Sequence, residues 1–453
     1  MQNIFKRYTF DIIKLYKFFI YLSPLMFSFF IILTNNIDFN GAFESGDYIG
    51  IAKTWLGESS QNVPLERLPL YPLFISLIFK LFDSNNLHAL LIAQSLLGFL
   101  TFYFLIKTLE ILKVDKSIII LTTLLLNLSI IFRFSVFLPN CLFIFFITLF
   151  TYSFTNFYFN KKIKYLLYTC FYLFLIMLTR ANFALSIFLT IPLICFCILR
   201  QDYKKILKLQ LIFALFISYF LAVGVQYYRY QSKIGNVAYT TQSGLHLILW
   251  TIPCLSSKYG CGARDLTIHK ILNDRYNQII NESEYELDEV ERNEIAKNVG
   301  INYIIKEINK KEAIISSFFG FSKLFLHSSL TEIYPSLGID VVNPSAQEGK
   351  SFKEKIMNFA LLGISDFKYF FWLIAIIFVF ISRVFQLYAI IIYLKPNILR
   401  SYIFVLTSMM FVTTIPAIGI GNPRYRSDSE TLFLIIGALG INSFFKKIKE
   451  RRK

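Results

Sequence analysis

The chain alternates apolar segments of membrane length with clusters of Lys and Arg, and the clusters fall at every second connection. A helix needs ~20 apolar residues to cross the hydrocarbon core of a bilayer. The apolar segments are residues 18–34, 88–109, 117–132, 137–158, 165–178, 181–199, 206–225, 370–393, 402–418 and 430–445. This pattern predicts an all-α polytopic membrane protein with about ten transmembrane helices.

The basic clusters also predict which side of the membrane each connection occupies. Cytoplasmic loops are enriched in Lys and Arg, so Lys161-Lys-Ile-Lys164, residues 200–205 and the tail 446–453 are predicted to lie inside. No small-residue cleavage site follows the first apolar segment, which favours a signal anchor with a cytoplasmic N-terminus. The formal net charge is +17, and the basic residues lie between the spans and in the tail, which indicates topology and anionic-lipid contacts rather than nucleic-acid binding.

The distribution of apolar segments predicts three regions. Residues 1–225 form an N-terminal membrane domain of about seven spans, with an outer loop at 35–87 whose short, proline-containing segment 68–82 is predicted to be interfacial. Residues 226–368 lack a membrane-length run and carry Glu and Lys at helical spacing, which predicts a mostly helical periplasmic domain. Residues 369–453 form a C-terminal membrane domain of about three spans with a basic cytoplasmic tail.

Six cysteines and four histidines give no spacing typical of a zinc site. Four of the cysteines lie in predicted spans. Cys254 and Cys261 lie outside and are separated by six residues, so an oxidising periplasm favours a disulfide between them. No metal site is predicted.

Arg383 lies inside the eighth predicted span. An intramembrane arginine usually faces a bundle interior or a cavity. The alternative is that its side chain snorkels to the inner interface, and the sequence leaves both possibilities open.

Two acids in the first outer loop are candidates for chemistry. Glu44 and Asp47 are three residues apart, so they share one face if the segment is helical. A carboxylate placed beside an apolar wall can serve as a general base. The alternative interpretation is a solvated acidic helix start.

Arginines in short outer connections form a second group of candidates. The positive-inside rule disfavours cations there, yet Arg67, Arg180, Arg424 and Arg426 all occupy such positions. A guanidinium binds phosphate with two parallel hydrogen bonds, so an anionic ligand would explain them. Contacts with lipid headgroups or outer acids are the alternative. A lipid-linked sugar phosphate would need cations near the interface, a nearby acid, and space between helices for its tail.

These residues resemble the GT-C superfamily of glycosyltransferases that use lipid-linked phosphosugars, of the protein O-mannosyltransferase and aminoarabinose transferase type. Tyr48 and Ala52 fit the spacing of the superfamily's first-loop motif. Arg67-x-Pro-x-Tyr71-Pro is similar to its basic-Pro-Pro-x-Tyr-Pro motif. Leu178-Thr-Arg180 is similar to its Leu-Thr-Arg-Pro motif, and Arg424-Tyr425-Arg426 with Glu430 is similar to its Arg-Tyr-Arg-Leu-Pro-x-Glu-Pro motif.

The chain also departs from the superfamily pattern. Glu44 occupies the register of the expected Asp, and Asp47 follows three residues later, so either carboxylate is a candidate base. Pro139-Asn140 stands where an acid is often found, and Ser427-Asp428 replaces Leu-Pro. A divalent metal that depended on the second-loop acid is therefore not supported.

The resemblance implies an inverting glycosyltransferase of the bacterial inner membrane, with its site on the periplasmic face. It would move a sugar from a polyprenyl-phosphate carrier to a periplasmic glycan, lipid or protein. Glu44 or Asp47 would act on the acceptor, and the carrier would be bound by Arg67, Tyr71, Arg180, Arg424, Tyr425, Arg426 and Glu430. The alternatives are a transporter or flippase of a lipid-linked glycan, and a glycan polymerase or ligase.

Overall fold

The computed structural model describes residues 2–33, 43–59, 64–84, 86–257, 265–326, 354, 357–358, 361–362, 366–417 and 423–452. Within these ranges, the side chains of residues 2–14, 43–44, 124–129, 416 and 423–424 lie outside the description. Helix accounts for 82% of the structure, and the described residues contain no strand. The predicted all-α fold is confirmed.

The principal helices follow one another along the chain with short connections. They are α1 (Gln2–Leu33), α2 (Phe43–Trp55), α3 (Leu70–Phe82), α4 (Leu87–Ile111), α5 (Lys116–Arg133), α6 (Asn140–Asn160), α7 (Ile163–Met177), α8 (Thr190–Leu199), α9 (Lys205–Ile234), α10 (Ser243–Leu255), α11 (Leu266–Asn281), α12 (Glu289–Lys306), α13 (Lys310–Leu326), α14 (Phe367–Tyr393), α15 (Leu399–Thr414), α16 (Pro423–Ser427) and α17 (Glu430–Arg451).

Six of the described helices are long and apolar enough to cross a membrane: α1, α4, α6, α9, α14 and α17. A seventh span results if the 3₁₀ helix Ala181–Ile187 and α8, which meet at 41°, are counted as one. The apolar helices α7 and α15 are shorter, at 15 and 16 residues. Each of the ten predicted segments contains helix among its described residues, so a multi-pass membrane protein fits the structure, while the number of about ten crossings stays a prediction.

Helix α9 extends further than the sequence pattern indicates. The apolar run ends at residue 225, where the outer domain was predicted to begin, but the helix continues to Ile234. It ends at Gly235, whose φ of 76° is readily accessible only to glycine. Residues 226–234 contain no helix breaker, and they carry Gln226 and Arg229 on the same helix beyond the apolar run.

The membrane helices pack tightly around α4, α6 and α17. Every residue from Glu430 to Asn442 is buried. A Cβ placed on Gly440 would lie 2.1 Å from the carbonyl oxygen of Phe385, so glycine permits the close approach of α17 to α14. Small residues commonly allow such contacts between membrane helices.

Helices α10 to α12 enclose a second, smaller core. Ile248, Leu272, Ala296 and Tyr303 are buried together there. Helix α12 starts with a capping box in which Asp288 and Glu291 bind each other's backbone N–H groups. The described part of residues 226–368 is therefore helical. Residues 327–353 lie outside the description, and the separate outer domain with its boundaries stays a prediction.

The connections that were predicted to lie inside contact one another. The Tyr203 hydroxyl donates to the carbonyl of Lys161 at 2.8 Å. The Tyr158 hydroxyl donates to the carbonyl of Ile398 at 2.7 Å. The lysine-rich connections thus lie together at one end of the bundle.

The connections that were predicted to lie outside also contact one another. The backbone N–H of Leu70 donates to the carbonyl of Leu178 at 3.3 Å. The Tyr239 hydroxyl donates to the carbonyl of Met177 at 2.8 Å. The candidate site residues therefore belong to a single end of the bundle, which we call the outer end.

Candidate functional site

An ion pair joins the first two sequence motifs at the outer end. Helix α2 places Asp47 so that its Oδ2 lies 2.9 Å from Nη2 of Arg67. The guanidinium also lies over the ring of Tyr48, 5.3 Å from its centroid, and 3.6 Å from Oε1 of Glu66. Asp47 remains 38% exposed, so its carboxylate is accessible. Glu44 lies in the first turn of α2, but its side chain is outside the description.

Tyr71 packs against Tyr48, beside this ion pair. Its side chain is buried, and its hydroxyl donates to Oε1 of Gln94 at 3.1 Å. Its ring packs edge to face on Tyr48 at 5.3 Å. The Gln94 amide in turn donates to the carbonyl of Val136 at 2.9 Å. Tyr71 therefore fixes α3 to α4 and positions Tyr48, with its hydroxyl directed into the protein.

A second ion pair joins the third and fourth motifs. Nη2 of Arg180 lies 2.8 Å from Oδ2 of Asp428, whose side chain is almost fully buried. The Asn140 amide donates to the other carboxylate oxygen of Asp428. Arg180 was expected in the site, whereas Asn140 and Asp428 were noted only as departures from the superfamily pattern. Each stands at a motif position, which is a signal that could have selected it, but sequence reasoning did not connect the two.

The outer domain reaches this second pair through a histidine. The guanidinium of Arg180 lies over the ring of Tyr425, 5.9 Å from its centroid. Nε2 of His246, on α10, lies 3.1 Å from the Tyr425 hydroxyl. Sequence reasoning did not select His246, because no histidine or cysteine stands at a metal-ligand spacing from it.

A buried three-residue ion network lies beside these pairs. Glu430 accepts from Nε of Arg426 at 3.1 Å and from Nη2 of Arg383 at 3.2 Å. Both arginines also donate to carbonyls at the end of α13: Arg426 to Leu324 at 3.2 Å and Arg383 to Phe325 at 3.0 Å. Buried charges require such partners. The network fastens α13 to α14 and α17.

Arg383 therefore faces the bundle interior, and the alternative that it snorkels to the inner interface is wrong. Its partner Glu430 opens α17 at the outer end. Arg426 is only 1% exposed, so its guanidinium supports the site through protein contacts. The side chain of Arg424 lies outside the description.

One of the two outer cysteines is described. Cys254 is disulfide-bonded, and the Ser316 hydroxyl donates to its carbonyl at 3.1 Å. Cys141, Cys170, Cys195 and Cys197 are free. Cys261 lies outside the described residues, so the pairing with it stays a prediction.

The pKa of Glu289, on α12, is raised above its ordinary value. Burial raises the pKa of Glu289, and the negative charges of Glu66 and Asp288 raise it further. The Thr241 hydroxyl donates to its carboxyl group at 3.5 Å. The charge of Glu66 thus connects α12 electrostatically with the segment that carries Arg67.

Among the described residues, no three His, Cys, Asp or Glu side chains are grouped so that they could hold a metal ion. No protein-family model and no curated protein matches this chain. The residues at the outer end must therefore be interpreted from their own chemistry. They combine an accessible carboxylate, guanidinium groups and aromatic rings, which suits an acid–base reaction at an anionic group.

Proposed function

We propose that this chain is a membrane glycosyltransferase that moves a sugar from a polyprenyl-phosphate carrier to a periplasmic acceptor, with inversion at the anomeric carbon. The observation that carries the proposal is the meeting of four motifs at one end of the bundle. Asp47 and Arg67 form one ion pair there. Arg180 and Asp428 form another, beside Tyr425.

The reaction assigned to this site is a single displacement. The acceptor hydroxyl forms a bond to the anomeric carbon while the bond from that carbon to the carrier phosphate oxygen breaks. Asp47 or Glu44 takes the hydroxyl proton, and the polyprenyl phosphate leaves with the bonding electrons. A positioned base contributes ~10²–10⁴-fold to such a step.

Cations would stabilise the departing phosphate. Arg67 lies next to Asp47, which would place phosphate binding beside the base. Arg180, and Arg424 from its sequence position, are the other candidates. Arg426 and Glu430 would act indirectly by holding the end of α13 against the membrane helices.

The proposal includes an orientation. The outer end would face the periplasm of a bacterial cell, with both chain termini in the cytoplasm, because the lysine-rich connections gather at the opposite end. The outer domain would cover the site and select the acceptor through contacts such as that between His246 and Tyr425.

The structure gives no specific support to a transporter. A transporter would need charged groups along a path through the membrane, and Arg383, the intramembrane candidate for that role, pairs with Glu430 at the outer end. A glycan polymerase or ligase would share the carrier, so it is separated from a transferase by its product.

The proposal is tested with the purified chain in lipid nanodiscs that contain sugar-loaded polyprenyl phosphates. Mass spectrometry follows the acceptor and the released carrier. The expected result is an acceptor that gains one sugar, with one polyprenyl phosphate released per sugar. Growth of a repeating glycan would indicate a polymerase. Movement of intact donor across proteoliposomes, with no carrier released, would indicate a flippase and contradict the proposal.

A further inference from the structure

Arg229 is a cation at the outer end that the sequence patterns did not select. It lies on the extension of α9 beyond the predicted span. Its Nη1 donates to the carbonyl of Arg67 at 3.1 Å and to Oε1 of Gln226 at 2.5 Å. The buried Gln226 amide donates to the carbonyl of Tyr239 at 3.3 Å. One edge of the guanidinium is thus held by neutral acceptors next to the first ion pair.

Arg229 has no acidic partner within the described part of the chain. Four other arginines at the outer end are paired with an acid. The pairs are Arg67 with Asp47, Arg180 with Asp428, and both Arg383 and Arg426 with Glu430. Arg229 is half-buried, and within the described ranges its guanidinium donates to one carbonyl and one amide oxygen. A desolvated charge without a countercharge is unfavourable, so this position favours an anion beyond those that the described residues supply.

The neighbours of Arg229 place it at the depth of lipid headgroups. Tyr227 and Tyr228 precede it and are exposed. Tyrosines concentrate at membrane–water interfaces, and the apolar run of α9 ends at residue 225. At this depth the abundant anionic group is a phosphate, which a guanidinium binds through two parallel donors.

We propose that Arg229 binds the phosphate group of a membrane lipid at the outer end. The identification of that lipid with the sugar carrier rests on the proposed function. Arg229 is bonded to the backbone of Arg67, which in turn is paired with Asp47. A lipid phosphate on Arg229 therefore lies beside the residues proposed to act on the sugar.

Binding measurements on the full chain in zwitterionic nanodiscs test this inference. The probes are polyprenyl phosphate, phosphatidylglycerol and inorganic phosphate. Loss of a charged hydrogen-bonding partner is worth roughly 1.5–3 kcal/mol, so Arg229→Gln is expected to weaken binding of polyprenyl phosphate by about tenfold or more. Lys233→Gln is the matched control, because Lys233 lies one turn further along α9 and is exposed. This variant is expected to bind as the wild type does.

Arg229→Lys keeps the charge but loses the planar fork, and an intermediate loss is expected. If Arg229→Gln does not fold, this variant decides the question, and binding equal to the wild type overturns the inference. Unchanged binding by folded Arg229→Gln overturns it as well. An equal loss in Arg229→Gln and Lys233→Gln also overturns it, because that result shows diffuse surface charge.

The probes separate this inference from the proposed function. Arg229-dependent binding of phosphatidylglycerol without binding of polyprenyl phosphate supports the inference and contradicts the carrier-dependent function. Wild-type binding of polyprenyl phosphate that Arg229→Gln retains contradicts only the inference. Binding of inorganic phosphate as tight as that of either lipid shows a free-phosphate site and overturns the lipid assignment. If the wild type binds neither lipid, both proposals fail.

Discussion

Asn140 and Asp428 lie far apart in the chain, and the structure brings their side chains into contact. Asp428 supplies a carboxylate to this contact and Asn140 supplies an amide. Asp428 pairs with Arg180, and the Asn140 amide donates to the same carboxylate. A second acid at position 140 would put two carboxylates against one guanidinium, which is unfavourable.

This arrangement predicts the behaviour of an exchange. Asn140→Asp should destabilise the protein by about 1–3 kcal/mol, because a buried donor is replaced by a like charge. The double variant Asn140→Asp with Asp428→Asn restores one acid and one amide, and it should regain at least half of the loss. Thermal unfolding in detergent measures both. A double variant as unstable as Asn140→Asp alone would show that the two residues are not coupled.

The candidate site was only partly predictable at the residue scale. Asp47 and Arg67 could be selected, because an acid and an outer arginine in short loops break the expected charge pattern. Arg229 could not be selected, because a single cation after an apolar run looks like an ordinary helix end. His246 gave no signal either, since its partner Tyr425 lies 179 residues away in the chain. Such contacts depend on how the outer domain packs, which local sequence does not encode.

At the scale of elements, the ion network around Glu430 ties α13 to the membrane helices. Glu430→Gln would remove the carboxylate that Arg383 and Arg426 share, and breaking a buried ion pair typically costs ~3–5 kcal/mol. We expect a corresponding fall in the unfolding midpoint and easier proteolysis near the end of α13. Glu307→Gln is the control, because it removes an exposed pair with Arg275 and should change neither measurement. Equal stability of the two variants would contradict the role given to the network.

Glu289 predicts a pH dependence for the element α12. Its pKa is raised in the folded state, so the folded state holds this proton more tightly than the unfolded state. The resulting stability is fully present below the ordinary pKa of 4.5 and is lost as pH rises through the folded value.

Glu289→Gln should therefore flatten the decline in the unfolding midpoint as the pH rises above 4.5. Glu294→Gln, which alters an exposed residue on the same helix, should keep the wild-type decline. If all three proteins follow the same pH profile, Glu289 is not the group responsible.

Helix periodicity predicted the elements better than their ends. Helix is present in each of the ten apolar runs among the described residues. The reason is that an apolar segment in lipid must satisfy its backbone N–H and C=O groups by hydrogen bonds within its own helix. The end of α9 was wrong by nine residues, since hydropathy falls at residue 225 while the backbone continues to Gly235. The location of Arg383 was open for a similar reason: its partner Glu430 lies 47 residues further along the chain.

At the scale of the whole molecule, the two ends of the bundle are expected to face opposite sides of a membrane. Cysteine at position 284, in the outer domain, should react with a membrane-impermeant thiol reagent applied to spheroplasts. Cysteine at position 160, between α6 and α7, should react only after lysis. Both native residues, Glu284 and Asn160, are exposed. Labelling of position 160 alone in intact spheroplasts would invert the orientation.

The central claim is that a carboxylate at the outer end acts as the base in sugar transfer from a carrier lipid. The most direct measurement compares transfer rate and carrier binding for Asp47→Asn and Glu44→Gln in nanodiscs. One of the two changes should lower transfer by ~10²–10⁴-fold while polyprenyl-phosphate binding is retained. Near-normal transfer by both variants would contradict the claim and place the base elsewhere.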